Sequence, residues 1–313
     1  MEDYPRNQSE FDSRFAAEDA CRRYLVALRW PEGVVCPRCG GPGGETTKRG
    51  LVVCRRCRYQ VSVTAGTIFQ DSRKPLSQWF RAIWAVTSRK TGASALSLQQ
   101  VLGLGCYETA WTWLHKIRRA MVTPGRDRLS GEVEVDETFL GAPEAGRHGR
   151  RMIRKTLVVV AAEKDGKGIG RIRMRRVADG SAQSLHPFVK ESVEPGSVLC
   201  TDNWQGYAGL AGYRRDIRQI AHSGKTASEL LPRVHRVVSL LKRWLMGTHQ
   251  GAVSHEHLDY YLDEFTFRFN RRTSRSRGKV FYRLIQNAVR VPPAPYRTII
   301  RGVRGPRRRK HNP

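Results

Sequence analysis

Apolar residues recur at two different periods along this chain, and the period changes where the chemistry changes. Between positions 76 and 121 they return every three or four residues, as Trp79, Phe80, Ile83 and Trp84 and again as Ala110, Trp113, Leu114, Ile117 and Met121. That spacing lines one face of a helix. Between the two stripes lies Ser97-Leu-Gln-Gln-Val-Leu-Gly-Leu-Gly105, which reads as a short helix closed by a glycine turn. The order helix, helix, turn, helix predicts a helix-turn-helix module. Its tryptophans belong to the core, and His115, Lys116, Arg118 and Arg119 of the last helix are expected to face DNA.

Beyond Gly131 the period shortens. Strands are predicted over residues 133–140, 156–162 and 169–175, a helix over 182–193, a strand over 198–201, and helices from there to Asn270. Three strands, a helix and a fourth strand match a ribonuclease-H-like α/β sheet with an antiparallel hairpin on one side. Asp136 falls in the first of these strands and Asp202 just past the fourth, so the two would lie on neighbouring strands.

Those aspartates carry the candidate chemistry. His235 follows Asp202 by 33 residues and Lys242 follows His235 by 7. Two strand-end carboxylates and a third ligand on a later helix can hold a pair of divalent cations about 3.5–4 Å apart, the arrangement for in-line attack on a phosphodiester. Seven residues return nearly to the same helical face, which lets Lys242 hold a phosphate beside the scissile bond. Glu134 shares a strand face with Asp136, whereas Glu137 points to the opposite one; both are candidate outer partners. Glu229 and Glu264 are weaker candidates for a third carboxylate, Glu264 lying in an apolar helical stripe with Leu262 and Phe265.

Charge narrows the partner. Lysines and arginines number 56 against 28 acidic residues, a net charge of +28, and an excess on this scale favours a polyanion through counterion release. The polar start Met1-Glu-Asp-Tyr-Pro-Arg-Asn-Gln8 holds no apolar core of a signal peptide, and the longest apolar run, 157–162, is too short to span a bilayer. The expectation is a soluble, cytoplasmic, nucleoid-associated protein acting on nucleic acid and not on a membrane.

Four of the seven cysteines form Cys36-Pro-Arg-Cys39 and Cys54-Arg-Arg-Cys57. Two such knuckles, joined by a glycine-rich hairpin around residues 40–44, place four thiolates about 2.3 Å from one Zn²⁺ and leave it no open position, so the ion is structural. A disulfide pair is the alternative, disfavoured in a reducing cytosol. Arg38, Arg55, Arg56 and Arg58 on the knuckles are available to phosphates.

The chain resembles the zinc-ribbon DDE transposases of bacterial insertion sequences, the ISXO2-like domain family. The stretches that carry the resemblance are Arg29-Trp-Pro-Glu-Gly-Val-Val-Cys-Pro-Arg-Cys-Gly40, Val135-Asp-Glu-Thr-Phe-Leu-Gly141, Thr201-Asp-Asn-Trp-Gln-Gly-Tyr207, Ser239-Leu-Leu-Lys-Arg243 and Tyr261-Leu-Asp-Glu-Phe-Thr-Phe-Arg-Phe-Asn-Arg-Arg272. The resemblance implies a ribonuclease-H fold, Mg²⁺ or Mn²⁺ at Asp136, Asp202 and the third position, and cleavage and joining of double-stranded DNA at terminal inverted repeats and target. It also implies a homo-oligomer on the DNA ends, with Lys242 and Arg243 on the DNA. Relatives commonly carry Glu at the third position, where this chain has His235. Neutral imidazole supplies a nitrogen ligand without negative charge and suits Mn²⁺ better than Mg²⁺.

The expected organisation is a helical arm (1–30), a zinc ribbon (31–72), the helix-turn-helix-like module (73–123), the catalytic domain (130–272) and a basic C-terminal extension (273–313) that clamps DNA backbone. Three other readings stay open: a domesticated or catalytically weakened DNA-binding copy, a host structure-specific nuclease, and a zinc-ribbon transcriptional regulator. The last gives no reason for the spacing of Asp136, Asp202, His235 and Lys242.

Overall fold

The computed structural model describes residues 2–122, 125–141, 155–219, 226–251 and 253–301. The chain forms two compact units, one of Met1–Thr123 with Thr273–Pro313 and the other of Pro124–Arg272.

The first unit opens with helices α1 (Gln8–Arg14) and α2 (Glu18–Arg29). Asn7 starts α1, its side chain accepting the Glu10 N–H. A three-stranded antiparallel sheet follows, β1 (Gly43–Thr46), β2 (Val52–Cys54) and β3 (Gln60–Val61). Its hairpin turns after Thr46 and not at residues 40–44: Thr47 N–H bonds Leu51 O, and Gly43 is already paired with Cys54. Helices α3 (Leu76–Ser88), α4 (Ala95–Leu102) and α5 (Tyr107–Arg119) come next. Gly103, in the left-handed region at φ 60°, ends α4 and opens the turn into α5. This is the order helix, helix, turn, helix. Trp79 and Trp113 are buried and stack 4.0 Å apart, as core residues should.

The second unit is built on a five-stranded mixed sheet. In chain order the elements are β4 (Glu132–Leu140), β5 (Thr156–Asp165), β6 (Gly168–Arg176), α6 (Ala182–Ser192), β7 (Val198–Thr201), β8 (Arg214–Ile217), α7 (Ala227–Leu230), α8 (Pro232–His249) and α9 (Leu258–Phe269). Across the sheet the order is β6-β5-β4-β7-β8. The pairs β4–β5 and β5–β6 are antiparallel, whereas β4–β7 and β7–β8 are parallel. Alternation along the strands divides the core in two. Val133, Val135, Val159 and Leu199 pack with Leu185 and Phe188 of α6. Val158, Val160 and Ile172 pack with Val234, Val237 and Leu241 of α8 and with Phe265 of α9.

After Arg272 the chain returns to the first unit as α10 (Arg277–Ala288) and α11 (Tyr296–Ile299). Residues 277–299 are therefore not a free tail: Phe281 is fully buried and stands 5.4 Å from Phe11 and 5.5 Å from Trp84. Gly278 is required at this contact, because any Cβ there would collide with the carbonyl of Pro5. The basic run at 304–310 lies outside the described residues.

Candidate active site and zinc ribbon

Strand pairing puts the two aspartates on neighbouring segments of the sheet. In the parallel pair β4–β7, Glu132 lies opposite Val198, Val133 opposite Leu199 and Glu134 opposite Cys200. Asp136 stands two residues beyond the last of these pairs on β4, and Asp202 follows directly on the end of β7 at Thr201; the negative charges of both reach the Tyr207 hydroxyl. Asp136 shares parity with Glu134 and so lies on the side of β4 that packs on α8. That helix supplies the third group: His235 Nε2 is 3.6 Å from Asp136 Oδ2, with both side chains partly exposed.

Asp202 is held differently. Its Oδ1 accepts the backbone N–H of Trp204 at 3.0 Å, and the Trp204 indole donates to Gly180 O at 2.5 Å. Among the described residues, the group of three or more metal-binding side chains whose donor atoms all lie within 4.8 Å of one another is the cysteine set; Asp136, Asp202 and His235 do not reach that spacing together. The donor set suits a divalent cation in chemistry and in strand position, and falls short of it in side-chain spacing.

One buried group senses the clustered charge. The hydroxyl of Tyr207, a fully buried side chain, is pushed well above its ordinary pKa by burial and then by the negative charges of Glu137, Asp136 and Asp202. Glu137 thus lies on the α6 side, as alternation requires, while Glu134 lies on the α8 side.

Glu134 is occupied by the fold. Its carboxylate is 1% exposed and accepts the N–H groups of Arg233 at 2.7 Å and Val234 at 3.0 Å, together with the Arg233 guanidinium at 2.8 Å. Of the other acidic candidates, Glu229 closes a capping box with Thr226 at the start of α7, and Glu264 is fully buried in α9. Lys242 and Arg243 are exposed on α8. Lys242 borders a cavity of about 690 Å³ together with Phe139, Leu140, Leu245 and His255.

In the ribbon the four sulfurs are already gathered. Cys36 and Cys57 Sγ are 3.7 Å apart, and Cys39 and Cys54 Sγ 3.6 Å. A tetrahedron with metal–sulfur bonds of about 2.3 Å has edges of about 3.8 Å, so the set fits Zn²⁺. The four thiols also share charge unevenly: the Cys57 and Arg56 N–H groups lower Cys54 to about 6, whereas, against the lowering Gly41 N–H, the sulfurs of Cys57, Cys54 and Cys36 and burial push Cys39 up to about 12. Arg38, Arg55, Arg56 and Arg58 are exposed around it.

Helix α5 corrects the expected DNA face. His115 is 0% and Arg118 1% exposed, so neither side chain is free to meet a duplex. The buried sector of this helix is wider than the Trp and Leu stripe suggests: at 100° per residue Arg118 falls beside Leu114, and His115 lies against the Trp111 ring, 4.1 Å away. The outward sector carries Glu108, Thr109, Thr112, Lys116 and Arg119. Thr109, Thr112 and Lys116 share a hollow of about 430 Å³ with Arg73 and Lys74. No helix among the described residues is long and apolar enough to cross a membrane.

Sequence reasoning missed the work done by Glu134 and Tyr207 and the outward threonines of α5. A signal for the first exists. A helix that begins Leu231-Pro232, without Ser, Thr, Asp or Asn at its cap, must have its first N–H groups satisfied from elsewhere.

Comparison with known proteins places both regions. Residues 128–270 match the ISXO2-like transposase domain, and residues 16–60 match the transposase zinc-ribbon domain. The chain is also 24% identical over 288 residues to an uncharacterized protein in transposable element ISH50 of Halobacterium salinarum, a match that covers 85% of this chain and 94% of that protein.

Proposed function

We propose that this chain, which belongs to the ISXO2-like, zinc-ribbon transposase family, is an insertion-sequence transposase that cuts and joins DNA at the ends of its element. One observation carries the reading: His235 Nε2 lies 3.6 Å from Asp136, and the parallel β4–β7 pairing puts Asp202 just past the end of the strand next to the one that bears Asp136. The sheet supports a ribonuclease-H-like domain. Counted within the unit, its strands run third, second, first, fourth, fifth, and the second alone opposes the rest.

Asp136, Asp202 and His235 would hold the divalent cations. Ions held there would supply activation of the attacking hydroxyl and stabilisation of charge at the scissile phosphate. The two carboxylates provide hard oxygen donors and negative charge; the imidazole provides a neutral nitrogen, which favours Mn²⁺ over Mg²⁺. Lys242 and Arg243, two turns along α8 from His235, hold the neighbouring phosphates. Thr109, Thr112 and Lys116 of α5 read the DNA end, and the ribbon arginines hold backbone.

Incubating purified protein with duplexes of the element ends and Mn²⁺ tests this. Asp136→Ala and Asp202→Ala should lose cleavage and strand transfer by about 10³-fold or more, about 4 kcal/mol of barrier, while binding the ends like wild type. Strand transfer retained by either variant would refute the assignment. A second reading, a copy that binds ends without cutting them, is favoured by the bond from Trp204 N–H to Asp202 and by the missing third carboxylate. Wild-type protein inert in both metals would select it.

A further inference from the structure

We infer that Glu134 is a positioning residue for the acid site, a strand-borne carboxylate that caps α8 and so fixes His235 against Asp136; the inference rests on the metal-site reading above. Helix α8 begins at Pro232, and its N-cap residue Leu231 makes no side-chain cap bond. Proline has no N–H, so the first donors at that helix end are the peptide groups of Arg233 and Val234. Glu134 Oε2 accepts both. The cap therefore comes from another element, about a hundred residues earlier in the chain.

The consequence is geometric. Glu134 stands two residues before Asp136 on the same face of β4, about 6.6 Å along the strand, and bonds the peptide N–H immediately preceding His235. One side chain thereby ties the strand that bears the first ligand to the turn that bears the third. Its other oxygen, Oε1, accepts the Arg233 guanidinium at 2.8 Å and lies 3.7 Å from Arg218 Nη1. Both oxygens are committed, which separates Glu134 from the ligands themselves. Burying an ionised carboxylate is costly unless it is paired, and an apolar residue on that face, against Ala162 and Val234, would avoid the cost. The charge is explained if what it holds in place matters.

Mn²⁺ titration of the full-length protein, read by calorimetry with thermal unfolding measured in parallel, tests this. Glu134→Gln keeps the shape but removes the charge from the helix end and from the arginine. The expected result is a loss of Mn²⁺ affinity on the order of ten- to a hundred-fold at temperatures where the variant is fully folded. In a His235→Ala background the same change should cost no more than about twofold, because its effect passes through His235. Wild-type Mn²⁺ affinity in Glu134→Gln, or an equal loss with and without His235, overturns the inference and leaves the metal site standing. Wild-type affinity in His235→Ala overturns the site reading and the inference with it. Should Glu134→Gln fail to fold, Arg233→Gln leaves the backbone bonds in place and removes only the guanidinium; a loss of about two- to fivefold is expected, and none would refute the role.

Discussion

The zinc ribbon and the acid site solve the problem of gathering ligands in opposite ways. In the ribbon, four sulfurs lie within 4.8 Å of one another, carried by two turns only 14 residues apart in sequence. In the proposed acid site the candidate ligands come from β4, from just past β7 and from α8; Asp136 and His235 stand 3.6 Å apart, and the three together do not reach the spacing of the cysteines. A structural ion must be held by its site at all times. A catalytic centre that gathers its last ligand on binding can couple that step to the arrival of metal and DNA. The comparison teaches that local ligands give a finished site, whereas dispersed ones give a site whose completion is conditional.

Removing zinc should produce the largest effect. Chelation, or Cys54→Ser, is expected to unfold residues 34–61, since binding of a structural zinc is worth about 10–16 kcal/mol in isolated finger peptides. Hydrogen exchange would show protection lost in β1–β3 and kept in β4–β8; unchanged protection in the ribbon would break the contrast. Next in size is the corrected face of α5. Arg118→Ala should cost about 2–3 kcal/mol of stability, measured by denaturant unfolding. Thr112→Ala and Lys116→Ala should leave stability alone and weaken end binding, each by about 1–2 kcal/mol, and the reverse pattern would put His115 and Arg118 on the DNA face.

A smaller change is expected at the third ligand. His235→Glu adds a charged oxygen donor, and it should shift the ratio of Mg²⁺- to Mn²⁺-supported cleavage about tenfold towards Mg²⁺; an unchanged ratio would remove His235 from the metal. The smallest effect concerns protons. Burial alone would raise the Glu163 carboxyl, but the Arg171 guanidinium and the N–H groups of Ser130 and Arg171 outweigh it and hold the pKa at about 2. A pKa lowered in this way contributes stability that is fully present above the unfolded value of about 4.3 and is lost as pH falls towards 2. Glu163→Gln should therefore lower Tm at pH 7 by a few degrees, with the difference from wild type closing near pH 2. A constant difference across that range would count against the ion pair.

How much was legible follows the same division. The cysteine knuckles were readable because each is a local pattern, and β4, β5, β6 and β7 because apolar runs mark them within a few residues. Asp202 does follow a strand end, whereas Asp136 sits in the middle of β4, because that strand runs on to Leu140 in its pairing with β5. What escaped was non-local. Strand β8, Arg-Arg-Asp-Ile, has no apolar period, and its place is set by pairing with β7. Helix α10 looked like part of a tail because its charged flanks conceal the aromatic Phe281, which finds Phe11 far away in sequence. His115 and Arg118 looked outward because periodicity marks the apolar face of α5 but not how far neighbouring elements wrap around it. The ribbon's hairpin was misplaced onto the glycines of 40–44, whereas the turn is made after Thr46.

A crystal of the wild-type protein soaked in Mn²⁺ and recorded for its anomalous signal tests the central claim most directly. The expected map shows manganese bound jointly by Asp136, Asp202 and His235, with the Asp202 carboxylate turned away from the Trp204 N–H to reach it. Manganese elsewhere, or Asp202 still bonded to Trp204 with no metal at Asp136, would contradict it.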